Sequence, residues 1–257
     1  MPLVQDTITE LSSMKSYPSE LFYEGRLELL KAHKISIVGT RRPTSYSKIM
    51  THRLASSLSK HGVCIVSGGA MGIDAIAHNG AGSSNTIAIL PCGIDIKYPA
   101  VNKKLLAEIE QNGLLLSQFA QGFKATPWSF VQRNEIVVAL GDVLVVCEAE
   151  LGSGSMRSVE FALKMGKEIF VLPHRLDESS ATNRLLQEGK ATAIYDIDAF
   201  VSRFAVTQFP HAKGDDFLEF CKTNPNYDEA LSAYPQRVFE AELSGEIEIV
   251  NAKVFLK

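Results

Sequence analysis

Four short segments of this 257-residue chain concentrate the residue types that bind anions. They are Gly39-Thr40-Arg41-Arg42-Pro43-Thr44, Ser67-Gly68-Gly69-Ala70-Met71-Gly72-Ile73-Asp74, Pro91-Cys92-Gly93-Ile94-Asp95 and Gly152-Ser153-Gly154-Ser155-Met156-Arg157-Ser158. A Gly/Ser turn that opens onto a helix presents unpaired backbone N–H groups, and the helix dipole adds partial positive charge. Glycine lets backbone come close to a phosphate, serine adds hydroxyl donors, and arginine clamps oxygens with a two-pronged fork. On these grounds Gly39, Arg41, Arg42, Ser67, Gly68, Gly69, Gly72, Ser153, Gly154 and Ser155 are candidate phosphate-binding positions. The competing reading is that the glycines only make tight turns.

Known nucleotide signatures do not fit. The first loop reads GTRRPT and not G-x-G-x-x-G, and no Lys-Ser or Lys-Thr follows a suitable glycine loop. No cofactor is therefore expected. Catalytic candidates are few, and none is assigned. Asp74 and His78 stand four apart and could share a helix face, either for acid–base work or to fix the second loop. No nucleophile accompanies them, and no His, Asp or Glu cluster has metal-ligand spacing. Glu148 and Glu150 could hold a ribose or a cation, or be solvated. Trp128 and Phe130 lie just before Gln132-Arg133-Asn134, in a window from Gln111 to Asn134 that holds no acid. Aromatic rings beside positive charge suit single-stranded nucleic acid, although either ring alone could belong to a core.

These segments need elements to position them. Apolar runs at 35–39, 63–67, 86–91, 113–117, 143–149, 168–173 and 192–196 read as strands buried on both faces. Between them Ser45–Lys60, Asn102–Gln111, Gln132–Leu140, Met156–Met165 and Asn183–Gln187 read as helices. The alternation predicts an α/β fold, a Rossmann-like, doubly wound and mostly parallel sheet that binds ligands outside the carboxyl ends of its strands. The polar segments fall at those ends. Residues 1–30 read as an N-terminal extension with one short helix, and 31–205 as the Rossmann-like domain. Residues 206–214 read as a linker. Residues 215–257 read as a small winged-helix-like module, with helices at 217–222, 227–233 and 236–243 and then a hairpin.

The net charge of −3 does not mark a general nucleic-acid binder, but its distribution is uneven. Leu29 to Ile73 contains no Asp or Glu and carries Lys31, Lys34, Arg41, Arg42, Lys48, Arg53 and Lys60. Residues 205–257 carry five Lys/Arg against nine Asp/Glu. Phosphate contact needs positive charge, so the acidic module is expected to meet protein or to serve structure and not DNA. The four cysteines are far apart and lack metal or redox spacing, which suits buried free thiols in a reducing compartment. No run has signal or transmembrane length, and a cytoplasmic protein with no membrane partner is expected.

The runs VGTRRPTSYS, VSGGAMGIDAIAH, LPCGIDIKYPAVN, GLLLSQF, FVQRNEIVVALGD, LVVCEAELGSGSMRSVEFALKMGKEIFVLP and SSATNRLLQEGKA occur in that order between about Tyr17 and Phe200. Together they closely resemble the DprA/Smf family, DNA processing protein A. The resemblance implies a Rossmann-like binder of single-stranded DNA without a known catalytic reaction. It further implies protection of incoming DNA, loading of the RecA recombinase in natural transformation, and homodimers formed through the Rossmann domain. Carried over by motif, Arg41, Ser67, Gly69, Gly72, Phe130, Arg133 and Asn134 become candidate DNA-binding residues. Met71 stands where many members have Arg, and Val131, just before Gln132, where Pro is common. A rival reading is a nucleotide-processing phosphoribohydrolase-like enzyme with a P-G-G-x-G-T-x-x-E motif. Here Ser155 and Glu160 are spaced too widely for it, and the paired glycines are absent. A plain nucleotide sensor of related fold is the third reading.

Overall fold

The structure is a computed structural model, and it describes residues 2–205 and 216–256. The chain divides into two compact units, Met1–Thr207 and Gln208–Lys257.

The first unit is built on one sheet. Its strands are β1 (Phe22–Gly25), β2 (Lys34–Val38), β3 (Cys64–Ser67), β4 (Thr86–Ile89), β5 (Leu114–Ser117), β6 (Val143–Val146), β7 (Ile169–Val171) and β8 (Thr192–Ala193). They lie in the order β1-β5-β4-β3-β2-β6-β7-β8, all parallel except β1, which pairs antiparallel with β5. The helices are α1 (Ser45–Lys60), α2 (Ile73–Ala81), α3 (Lys103–Asn112), α4 (Pro127–Leu140), α5 (Gly154–Lys164), α6 (Ser180–Gln187) and α7 (Ile197–Ser202). From β2 the chain winds outward through β3, β4 and β5, then returns to lay β6, β7 and β8 on the other flank. The order therefore reverses between β2 and β6, and the loops after those two strands flank the crevice where such sheets hold ligands.

Alternate strand residues feed opposite cores, as strand geometry requires. Val38, Val66, Ile89, Leu116 and Val146 pack against Ile136–Leu140 of α4 and Val159 of α5. Ile35, Ile37, Ile65 and Val145 pack against Leu54 and Leu58 of α1, Ile73 and Ala77 of α2, and Phe200 of α7. Both faces of the sheet are covered, so its strands read as continuous apolar runs.

Three elements differ from the sequence reading. Residues 1–30 hold two short 3-10 helices and β1, and their Ile8, Leu11, Leu21 and Leu29 are buried in the first core. They are part of the fold, not an extension from it. β1 is an edge strand of four residues, too short to show a period. Helix α4 begins at Pro127, five residues earlier than the apolar periodicity indicates. Thr126 accepts the Ser129 N–H while the Ser129 hydroxyl accepts the Thr126 N–H, a reciprocal cap made with Ser where Glu or Gln is usual. The run at 192–196 yields only two strand residues. Asp196 instead caps α7 by accepting the N–H groups of Asp198 and Ala199.

All four cysteines are free and buried. Burial pushes the thiols of Cys64 and Cys147 up to about 12 and that of Cys92 up to about 11. Among the described residues no helix is long and apolar enough to cross a membrane.

The second unit has helices α8 (Asp216–Cys221), α9 (Tyr227–Ala233) and α10 (Pro235–Ser244), then a hairpin of β9 (Ile247–Val250) and β10 (Lys253–Leu256). This is the winged-helix-like pattern expected. Phe217, Cys221, Ala230, Val238, Ala241, Ile247 and Val254 form its own core. The expected linker, 206–214, lies outside the described residues.

Candidate functional site

The loop after β2 is held from below by Glu148, at the end of the neighbouring β6. The Glu148 carboxylate accepts from the Thr44 backbone N–H at 2.9 Å and the Thr44 hydroxyl at 3.0 Å, and its carbonyl accepts the Thr40 N–H at 2.8 Å. The residue is 8% exposed. These bonds fix the loop. The loop so fixed presents Arg41 and Arg42 to solvent.

Arg41 reaches the first turn of α4. Its guanidinium lies over the Phe130 ring at 5.3 Å, and the guanidinium of Arg133 lies at 5.8 Å from the same ring. Tyr98, from the loop after β4, meets Phe130 edge-on at 5.9 Å. Arg41, Gly68, Ala70, Met71, Pro91, Tyr98, Pro99, Phe130 and Arg133 line one small, open pocket. Arg42 does not line it.

Arg133 is deeply set, 4% exposed. Its Nη1 lies 3.7 Å from Asp74 Oδ2 and donates to the Ile89 carbonyl at 3.4 Å, while Nε has no partner. Burial raises the Asp74 carboxyl above its usual range and lowers Arg133, and each charge opposes the shift of the other. Arg133 sits directly against the second loop: a Cβ on Gly68 would overlap its guanidinium. Gly72 has φ +78°, and a Cβ there would strike the Thr40 carbonyl and the Arg41 backbone. These two glycines are needed because loop two packs backbone-first against loop one and Arg133.

The second loop has one backbone donor already engaged and two carbonyls tied down. The Ala70 N–H donates to Asp74 Oδ2 at 3.3 Å, and the Gly69 and Ala70 carbonyls accept from Asn102 Nδ2 at 2.9 and 3.0 Å. Ser67 is fully buried, and its hydroxyl donates to the Ile37 carbonyl at 2.7 Å. Gly39 packs against Ile73 and the Glu148 carbonyl. Of the sequence-derived candidates, the structure gathers Arg41, Gly68, Phe130 and Arg133 around the pocket, with Gly69 and Gly72 shaping the loop behind it. Asn134 instead faces α5, where its Nδ2 donates to the Gly154 carbonyl at 3.5 Å. Ser153 stands at the N-cap of α5, and Gly154 and Ser155 lie in its first turn; none of the three lines the pocket.

His78 does not pair with Asp74. Thr86 Oγ1 donates to the Ile65 carbonyl, so His78 Nδ1 must donate to Thr86, at 2.7 Å. Burial lowers the imidazole to about 3. Glu150 meets the Ser180 hydroxyl and N–H. Among the described residues no group of three His, Cys, Asp or Glu could hold a metal ion.

Tyr98 is the site residue that sequence reasoning missed. Its only signal is a Tyr-Pro pair in a loop after a strand, and that pattern does not distinguish a wall of a site from a plain turn. Trp128 makes an edge-on cluster with Phe119 and Phe123 at 5.6 and 5.8 Å, and those two rings stack at 4.7 Å.

Residues 5–205 match the family model of DNA recombination-mediator protein A. The DNA processing protein DprA of Streptococcus pneumoniae is 35% identical over 184 residues, which are 70% of this chain and 65% of that protein. The DprA of Bacillus subtilis is 34% identical over 193 residues, again covering 65% of its length. The chain thus spans slightly less than two thirds of these curated relatives. A solved structure of DNA processing protein A from Helicobacter pylori, described for its single-stranded DNA binding mode, superposes with a TM-score of 0.77 at 43% identity. That match covers 79% of this chain and 94% of the other. The S. pneumoniae structure superposes at 0.72 with 31% identity, covering 80% of this chain and 74% of the other.

Proposed function

This chain belongs to the DNA recombination-mediator protein A family, and from that premise we propose that it binds single-stranded DNA at the carboxyl ends of its strands. The observation that carries the reading is the arrangement of Arg41, Phe130 and Tyr98 around an open pocket beside the sheet's reversal point. Arg41 is exposed and makes no ion pair among the described residues, so its charge is available to a phosphate. Aromatic faces beside it suit unpaired bases, which a duplex would hide. The likeness to the H. pylori protein, whose structure was described for single-stranded DNA binding, supports the same reading.

In this reading Arg41, Arg42 and Phe130 are the residues that face DNA. Gly39, Gly68, Gly69, Gly72, Ser67 and Arg133 give the site its shape, and Asn134, Ser153, Gly154 and Ser155 flank it. The bound strand is protected and passed to a RecA recombinase during natural transformation. The protein acts in the cytoplasm as a homodimer through residues 31–205. Residues 206–214 tether an acidic module, 215–257, that meets protein. No catalytic reaction and no cofactor are assigned.

The nucleotide-processing alternative is not favoured. Glu160, the carboxylate its motif would need, is spent in an exposed ion pair with Arg157 at 2.9 Å and does not line the pocket. A gel shift with single- and double-stranded oligonucleotides at two salt concentrations tests the proposal. Preference for the single strand is expected, and equal or absent binding overturns it. Size-exclusion chromatography reads the dimer, and RecA-driven strand exchange with and without the protein reads the loading step.

A further inference from the structure

Helix α1 carries a surface that its packing does not use. Ser47, Thr51, Leu54, Ala55 and Leu58 form its buried side. The opposite side exposes Lys48, His52 and Arg53 together with Tyr46, 42% exposed, and Ile49, 60% exposed. A solvated helix face is ordinarily polar throughout, so two large apolar side chains among cations call for a ligand. Tyr46 stands edge-on to His174 at 5.4 Å, a contact that steadies the ring while part of it stays open. The helix contains no Asp or Glu. Among the described residues Lys48 has no ion pair. Arg53 meets Asp198 of α7 only at 4.0 Å, between two exposed groups, and such a pair is worth little in water. Cations gathered along one helix face are the electrostatic footprint of phosphate binding.

We propose that a single strand held at the Arg41 loop continues along the exposed side of α1, with phosphates beside Lys48 and Arg53 and a base or sugar against Tyr46 and Ile49. Three features favour this occupant over an acidic protein. The face continues directly from the loop that bears Arg41 and Arg42, because Thr44 both ends that loop and caps α1. The positive end of the helix dipole lies where the strand enters. Lys48 to Arg53 covers about 7.5 Å of helix axis, close to the spacing of successive phosphates in an extended strand. An aromatic ring among cations is also the combination that holds unpaired nucleic acid. The inference rests on the single-stranded DNA reading and extends it: the grip reaches beyond the loops at the strand ends onto the flank of a helix.

The test titrates the full chain with oligothymidylates of about five and about fifteen nucleotides, to high strand concentration and across a salt series. Wild-type protein should bind the longer strand with the steeper log–log salt slope, because more phosphates are neutralised. The double variant Lys48→Ala/Arg53→Ala should bind the longer strand roughly tenfold more weakly at low salt, with a slope flatter by about 1.4. It should bind the shorter strand as wild type does, which also shows that the variant is folded. Tyr46→Ala should weaken the longer strand without changing its slope, since no charge is removed. Unchanged binding of the longer strand by the double variant overturns the inference and leaves this face to an acidic protein. Equal losses on both strands overturn it as well, because they mark a general field and not a path. Failure of wild-type protein to bind either strand overturns the single-stranded DNA reading itself, and this inference with it.

Discussion

At the scale of single residues, Arg41 and Arg42 are neighbours in sequence but not in role. Arg41 lies over Phe130, and Arg42 lines no part of the pocket. Arg41→Ala should weaken binding of every single-stranded sequence by about tenfold, the loss of one charge-assisted contact of ~1.5 kcal/mol. It should also flatten the log–log salt slope by about 0.7. Arg42→Ala should do less, and filter binding across a salt series reads both. Gly68→Ala would drive a methyl into Arg133 and part it from Asp74. Strain of this kind costs about 1–3 kcal/mol, read as a lower urea midpoint together with weaker DNA binding. His78 gives a pH signature. Its folded value of about 3 lies below the ordinary 6.5, so the unfolded chain takes the proton first as pH falls. The stability from the neutral ring is whole above about pH 6.5 and drops by about 1.4 kcal/mol per unit toward pH 3. His78→Gln should remove that slope from urea midpoints measured between pH 7 and 4.5. Residue type pointed to the Arg41-Arg42 pair in a strand-end turn, but it could not separate the two, which the Phe130 contact does. It misrepresented Ser67 and His78, because a hydroxyl or imidazole reads the same in sequence whether it faces solvent or a buried carbonyl.

At the scale of elements, the parallel strands were legible because burial on both faces makes them apolar throughout. What escaped was structure held by few residues. β1 and the two 3-10 helices before β2 have no periodicity to read, yet Leu11 is fully buried in the core. Leu11→Ala should cost about 2–5 kcal/mol in urea unfolding, whereas an appended tail would tolerate the change. The start of α4 escaped because its cap uses Thr126 and Ser129, and this matters more: it moves Trp128 and Phe130 from a loop onto a rigid first turn. Phe130 is thereby held at a fixed height above Arg133. The site owes its geometry to that turn and to Glu148 beneath Thr44, neither of which the glycine pattern reveals.

At the scale of the whole molecule, two units with separate cores divide the charge between them. Basic residues without acidic neighbours occupy 29–73, and acids dominate the last fifty residues. Truncation after residue 205 should therefore leave a folded protein whose single-strand affinity stays within about twofold of the full chain, since the acidic unit offers phosphates little attraction. With about four phosphates neutralised, both forms should show a log–log salt slope near −3. The uneven charge and a separate last module were plain from sequence, but which of the module's few apolar residues meet in its core was not. One consequence of the first turn of α4 concerns how these experiments can be read. Trp128 is the only tryptophan in the chain, it is 51% exposed, and it stands two positions from Phe130. The protein thus carries a single intrinsic optical probe on the helix turn that also bears Phe130, so a strand that covers this turn should quench or shift its emission without any attached dye.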